Sequence, residues 1–129
     1  MWNNLGYVNE EGMFVTLDNF SLKLPSMQLE CIKEKEFIGK DLVLGIRPEE
    51  LYSDSIHLNN KENVLDVDVD FSELLGATTN VLFKINDCRI TASIAGAIDC
   101  HLGDIFKVYF DLAKCHLFDP ETTSCLTKI

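Results

Sequence analysis
The sequence predicts an all-β domain, a barrel or sandwich with one short helix, and three observations carry that prediction. Short apolar runs recur along the chain with Gly, Asn, Asp or Pro at most of their junctions. Several of these runs alternate apolar with polar residues at period two, the spacing of a half-buried strand. Only residues 27–36 show helical spacing, and no strand–helix repeat points to a parallel sheet.

Taken in order, residues 5–8, 13–17 and 20–24 read as three consecutive strands, separated by the turn-forming residues 9–12 and by Asp18-Asn19. Residues 1–4 carry no signal. Pro25 ends the third strand, and Ser26 is placed to cap a helix over 27–36. Leu29 and Ile32 face inward there, while Glu30 and Lys33 can pair across one turn. Gly39 suits the stop. Residues 42–46 form a strand that ends where Pro48 withholds a backbone donor. Residues 52–63 are polar and read as a loop with a short strand near 56–58.

The most informative run is 64–85, VLDVDVDFSELLGATTNVLFKI. Leu65, Val67, Val69 and Phe71 alternate with Asp66, Asp68 and Asp70, which predicts an apolar face and an acidic one. After an interruption at Gly76, Val81, Phe83 and Ile85 resume the alternation. The expectation is two adjacent antiparallel strands joined around residues 76–79. Asn86-Asp87 then turns into a strand at 88–95, where Ile90, Ala92 and Ile94 share a face, and further strands follow at 105–110 and 114–118.

At 129 residues the chain is expected to be one domain, 1–129, large enough to bury a core. No apolar run approaches the roughly 18 residues of a membrane-spanning helix, so no direct membrane insertion is expected. A net charge of −10 repels phosphate backbones, which argues against nucleic-acid binding. Twelve aromatics are present (eight Phe, three Tyr, one Trp), but most fall in the inward phase of strands rather than on a stacking platform. Five cysteines without a CxxC pair suit reduced, buried thiols better than a disulfide framework. In Cys100-His101 and Cys115-His116, neighbours on a strand point to opposite faces, which is poor geometry for one metal.

The candidate chemistry is sparse. Gly39-Lys40 fails as a phosphate loop, because Glu34 stands where a glycine is needed and Asp41 where Ser or Thr must follow. Asp66, Asp68 and Asp70 offer carboxylates for a divalent cation, yet no loop wraps such an ion, and a solvated strand face is the better reading. Arg47 either forms a partner-facing ionic patch with Glu49 or anchors the fold through a carboxylate such as Asp119. The second use suits a guanidinium fork at a strand end. No catalytic residue, cofactor site or metal site is assigned.

Three ordered segments, LGIRPEEL at 44–51, VDFSELLGATT at 69–79 and HLFDPET at 116–122, together with KEKEFIGKDLVLGIRPEE at 33–50 and Gly103-Asp104 before a hydrophobic strand, resemble a known family. The chain is similar to the C-terminal transport-associated OB-type (TOBE) regulatory domain of sugar-importing ABC transporter ATPases, of the maltose and multiple-sugar type. That resemblance implies an OB-fold-like, TOBE/MOP-like β-barrel following an ATP-hydrolysing domain that this chain lacks. It implies a non-catalytic role: holding the ATPase homodimer together and offering a surface to a regulatory protein. The partners it implies are the nucleotide-binding domain of the same protein and, through it, permease subunits, on the cytoplasmic face of the membrane. Candidate interface or motif residues are Arg47, Pro48, Glu49, Gly76, His116, Phe118 and Asp119. The chain departs from the family at Thr123-Ser124, where Gly is common. It contains no phosphate loop, LSGGQ-like signature or apolar strand ending in Asp-Glu. The alternative is an oxyanion-binding or other small-ligand OB-type module, although the Ser-x-Arg-Asn element of such modules is missing.

Overall fold
The computed structural model describes residues 2–16, 20–85 and 88–127, with residues 2–4 described in backbone only. Eleven strands appear: β1 (Trp2–Val8), β2 (Met13–Thr16), β3 (Ser21–Lys23), β4 (Asp41–Ile46), β5 (Leu51–Tyr52), β6 (Val64–Asp68), β7 (Phe71–Leu75), β8 (Thr78–Ile85), β9 (Cys88–Ala95), β10 (Ile105–Phe110) and β11 (His116–Phe118). Two helices accompany them, α1 (Ser26–Glu34) and the single turn α2 (Ser55–Leu58), with 3₁₀ turns at Pro48–Glu50 and Leu112–Lys114. The strands form three antiparallel sheets, ordered β11-β4-β1-β2-β3, β5-β10-β6 and β7-β8-β9. All three contribute to one core, which includes Phe14, Leu44, Phe83, Ile90, Val108 and Phe110. Among the described residues the sheets are not joined into one closed ladder.

Alternation succeeds where a strand stays within one sheet. Ile90, Ala92 and Ile94 are buried along β9, and Val81, Phe83 and Ile85 along β8. It fails at the junction of β6 and β7. Both Asp70 and Phe71 address Leu82: Asp70 N–H donates to the Leu82 carbonyl at 2.8 Å, and Phe71 is its register partner. Two residues therefore face one, the arrangement of a β-bulge, and the side-chain phase slips. Val69 stays buried, Phe71 turns to solvent, and Asp70 draws partly inward with Oδ2 buried and without a hydrogen bond. The expected pair over 64–85 is thus three strands, β6, β7 and β8. β6 pairs with β10, and the hairpin is β7–β8, closed by Gly76-Ala77 with Leu75 opposite Thr78. Asp66 and Asp68 do face solvent, and Lys107 Nζ meets Asp66 Oδ1 at 2.9 Å.

Other expectations are corrected similarly. The first strand begins at Trp2, because β4 holds it in register from Trp2↔Ile46 to Tyr7↔Asp41. α1 starts at Ser26 with Pro25 as its cap residue, so Ser26 does not cap with its side chain. Its C-terminus comes at Glu34, since Glu36 adopts φ 61 and Gly39 N–H bonds across to the Val8 carbonyl. Gln28, placed on no face by the sequence, is buried with Ile32, and its Nε2 donates to the Leu112 and Ala113 carbonyls. That carboxamide fixes the helix to the turn ahead of β11. Glu30 and Lys33 form no ion pair among the described residues. The strand expected near 56–58 is α2, where the Asp54 carboxylate accepts the His57 N–H. β11 spans only His116–Phe118, because Leu112–Lys114 coil into a turn capped by Asp111. The turns Asp18-Asn19 and Asn86-Asp87 lie outside the described residues.

Thiol burial is uneven. Cys100 and Cys115 are buried, Cys31 and Cys88 half-buried, and Cys125 is exposed, against the expectation of buried thiols throughout. Burial pushes the Cys115 thiol up to about 12, with the Asp111 and Cys125 charges acting in the same direction. The folded state thus holds the neutral thiol, so its contribution is intact below the ordinary value of 9.0 and is lost as pH rises toward 12. Iodoacetamide at about pH 8 is expected to alkylate Cys125 and spare Cys115 until denaturant is added. Peptide mass spectrometry of native and denatured samples checks this; native labelling of Cys115 would contradict its burial.

Candidate functional site
Two of the three motif segments meet. β11 pairs with β4, setting His116 opposite Gly45, Leu117 opposite Leu44 and Phe118 opposite Val43. Just beyond this seam the chain folds back at Pro48, the first residue of the turn Pro48–Glu50, and delivers Glu50 into the interior with 8% exposure. Arg47 reaches Glu50 Oε1 at 3.8 Å, and Lys114 Nζ approaches Glu50 Oε2 at 3.5 Å. A buried carboxylate needs such cations, since an unpaired one costs several kcal/mol (roughly). Glu50 backbone C=O also accepts the Asp111 N–H. The arrangement locks the segment after β4 to the segment before β11.

The expected partners of Arg47 are therefore corrected. Neither Asp119 nor Glu49 holds it; Glu50 does, because the 3₁₀ turn brings residue i+3 back over residue i. Glu49 is left exposed. Asp119 instead organises its own turn: its Oδ1 accepts the Glu121 N–H at 2.9 Å, and its backbone pairs with Thr123 and Ser124. In that turn Thr123 adopts φ 60. A β-branched residue in the left-handed region is strained, at a cost on the order of 1–2 kcal/mol, which is why Gly suits the position. The His116 and Phe118 rings stack with centroids 5.9 Å apart, and His116 Nδ1 lies 3.8 Å from Cys125 Sγ. Gly76, at φ 62, sits apart from this seam at the tip of the β7–β8 hairpin.

A second cluster went unread in the sequence. His57 stacks on Tyr52 with centroids 4.1 Å apart and lies 5.5 Å from the Tyr109 ring, while its Nδ1 meets Asp54 Oδ1 at 2.6 Å. Desolvation would raise the Asp54 carboxyl, but the hydrogen bonds from the His57 ring and backbone outweigh it and hold it below its ordinary value. Burial, then the Asp111 and Glu62 charges, push the Tyr109 phenol up. The spacing Asp54-x-x-His57 was the available signal. The cluster pins α2 against β10. Beside it lies a cavity of about 250 Å³ lined by Glu49, Tyr52, Ser53, Asp54, Ser93 and Ile98 among others. That is smaller than most ligand pockets, and its described lining carries carboxylates without a cation to receive an anion. Among the described residues no three His, Cys, Asp or Glu side chains converge to hold a metal ion. No helix among them is long and apolar enough to cross a membrane.

No protein-family model matches the chain. It is similar to the oligosaccharides import ATP-binding protein MsmX of Bacillus subtilis, with 30% identity over 109 residues, 84% of this chain and 30% of that protein. It is similar also to the multiple sugar-binding transport ATP-binding protein MsmK of Streptococcus mutans, 31% identical over 91% of this chain and 31% of that protein. The trehalose/maltose import ATP-binding protein MalK of Thermococcus litoralis is 32% identical over 89% of this chain and 31% of its own length. The chain thus spans about 30% of the length of the curated relatives it matches. Among solved structures, the molybdate-bound cytoplasmic molybdate-binding protein ModG superposes with a TM-score of 0.69, covering 92% of this chain and 95% of that one at 15% identity. That likeness shows a shared, OB-like fold.

Proposed function
We propose that this chain, a relative of the ATP-binding proteins of sugar importers over most of its length, is the non-catalytic regulatory and dimerisation domain of such a subunit. The observation that carries the reading is the match itself: 84–91% of the chain aligns with only about 30% of each relative. One compact segment of the relatives corresponds to nearly everything here. The lock between β4 and β11 supports a scaffold role, since Glu50, Arg47 and Lys114 tie sequence-distant segments rather than presenting reactive groups. On this reading the domain follows a nucleotide-binding domain, pairs with its twin and joins the permease subunits at the cytoplasmic face of the membrane. His116, Phe118 and Asp119 are candidate contacts there, because all three keep part of their surface accessible.

Sedimentation equilibrium across the micromolar range tests the pairing. A mass of two chains that grows with concentration is the expected result; a single-chain mass throughout, with no association with importer subunits co-expressed beside it, would sink the proposal. The oxyanion alternative has weaker support, because the hollows lined by Lys40 or by Lys23 and Lys61 carry at least as many carboxylates as lysines, and the cavity near Asp54 is lined by carboxylates without a cation. Calorimetry with molybdate and sulfate distinguishes the two.

A further inference from the structure
Among the described residues β7 is the terminal strand of its sheet; residues 100–104 run beside its start, and beyond Ser72 its outer side faces no other strand. Leu75 and Thr78 close a two-residue turn, so the hydrogen-bonded pairs fall at Leu75, Glu73 and Phe71, and the Ser72 and Leu74 backbone groups point away from β8. No backbone hydrogen bond reaches those two residues from outside the hairpin among the described residues. Natural edge strands are usually short, charged or covered. This one instead exposes Phe71 (52%), Leu74 (59%) and Leu75 (51%).

The apolar surface continues past the strand. Ser72 Oγ donates to the Cys100 carbonyl, and Gly103 N–H donates to the Val69 carbonyl, which holds the intervening Leu102 beside the start of β7. Leu102 is 77% exposed, and Ile105, opposite Asp68, is 65% exposed. Around this apolar edge stand the exposed Asp68, Glu73 and Asp104. Among the described residues none of these three pairs with a lysine or arginine. A second copy brought edge to edge would set these carboxylates near their own images on a chain of net charge −10. Charge complementarity selects a basic occupant instead.

We propose that the open edge of β7 is a docking strand for an extended segment of a partner protein, one whose apolar residues are interleaved with lysine or arginine. The partner adds a strand to the β7-β8-β9 sheet. Its backbone takes up the Leu74 groups, beyond the point where residues 100–103 flank the strand, its apolar side chains cover Phe71 and Leu75, which share one face of the sheet, and its cations meet the acidic rim. The inference stands apart from the importer reading, since pairing of two copies through another face leaves this edge open.

Amide chemical-shift titration of the whole chain with a short acetylated peptide of alternating lysine and valine tests it. Shifts are expected at residues 71–75 and 102–105, weakening with added salt. The same peptide with central prolines keeps the charge but cannot pair as a strand, so it is expected to bind at least about tenfold more weakly. Glu73→Lys, on an exposed position, is expected to weaken binding by about tenfold while leaving the melting temperature unchanged. Equal binding of both peptides, shifts confined to another face, no shifts at all, or concentration-dependent protection of the β7 amides by a second copy would each overturn the proposal.

Discussion

Phe83→Ala is expected to lower the unfolding free energy by about 3–5 kcal/mol, the range for emptying a fully buried phenylalanine site. Phe83 has no solvent exposure and lies in the middle of β8, opposite Ile90 on β9, with Val81 and Ile85 buried to either side. Pairing to β9 at Phe83 itself, and to β7 as far as the adjacent Leu82, holds the backbone, so the site has little freedom to collapse around the lost ring. Against a typical total of roughly 5–15 kcal/mol, that loss brings the domain close to unfolding at body temperature. Urea denaturation monitored by circular dichroism measures it. The companion variant is Phe71→Ala, twelve residues earlier and equally apolar. With half its surface in solvent, it is expected to stay within about 0.5 kcal/mol of the parent. Equal losses at the two positions would refute the phase slip at the bulge.

Gly6→Ala is expected to cost about 3 kcal/mol, at the upper end for overpacking a close-packed interior. β1 runs between β2 and β4, with Gly6 opposite Thr16 on one side and Leu42 on the other. A methyl group there would overlap the Val15 carbonyl oxygen and sit 2.8 Å from the buried Phe14 ring. A flexible side chain can move aside; a carbonyl in a ladder cannot without breaking pairing. The adverse effect is therefore steric, since Gly6 does not adopt a left-handed φ. The same denaturation measurement checks it, and Gly39→Ala supplies the contrast. Its added Cβ meets nothing within 4 Å, so any loss there arises from its φ of 80 alone.

Much of the fold was legible because the period-two signal reports burial directly wherever a strand belongs to a single sheet. β8 and β9 followed from it, while β10, the strand over 42–46 and the hairpin turn at Gly76 were marked by apolar runs and the turn residues between them. The bulge at Asp70 was not legible: one residue of offset leaves the alternating letters intact while reversing which of them face the core. α2 was missed for another reason. A single turn is too short to establish a helical period, so only the cap spacing from Asp54 to His57 betrays it. The ionic lock was half legible. Arg47 was expected to pair with a carboxylate such as Asp119, but the choice of carboxylate depended on a 3₁₀ turn that brings Glu50 within reach instead. Gln28 illustrates the remaining limit, since a buried amide is invisible until its two carbonyl acceptors are brought near by the tertiary fold. For the family motifs the opposite held: order and spacing marked the segments 44–51 and 116–122, and the structure sets them side by side as β4 and β11.

The strand order of the largest sheet has a kinetic corollary. β1, the first strand, occupies the centre, and its β4 neighbour arrives some forty residues later; β11, near the other end of the sequence, closes on β4. Nucleating such a sheet requires long loops to close before many contacts repay the entropy, so folding belongs to the millisecond-to-second regime of non-local β topologies. During synthesis, a ribosome-bound chain that lacks residues 116–118 leaves one edge of β4 unpaired. The five-stranded sheet is completed only after nearly the whole segment has emerged.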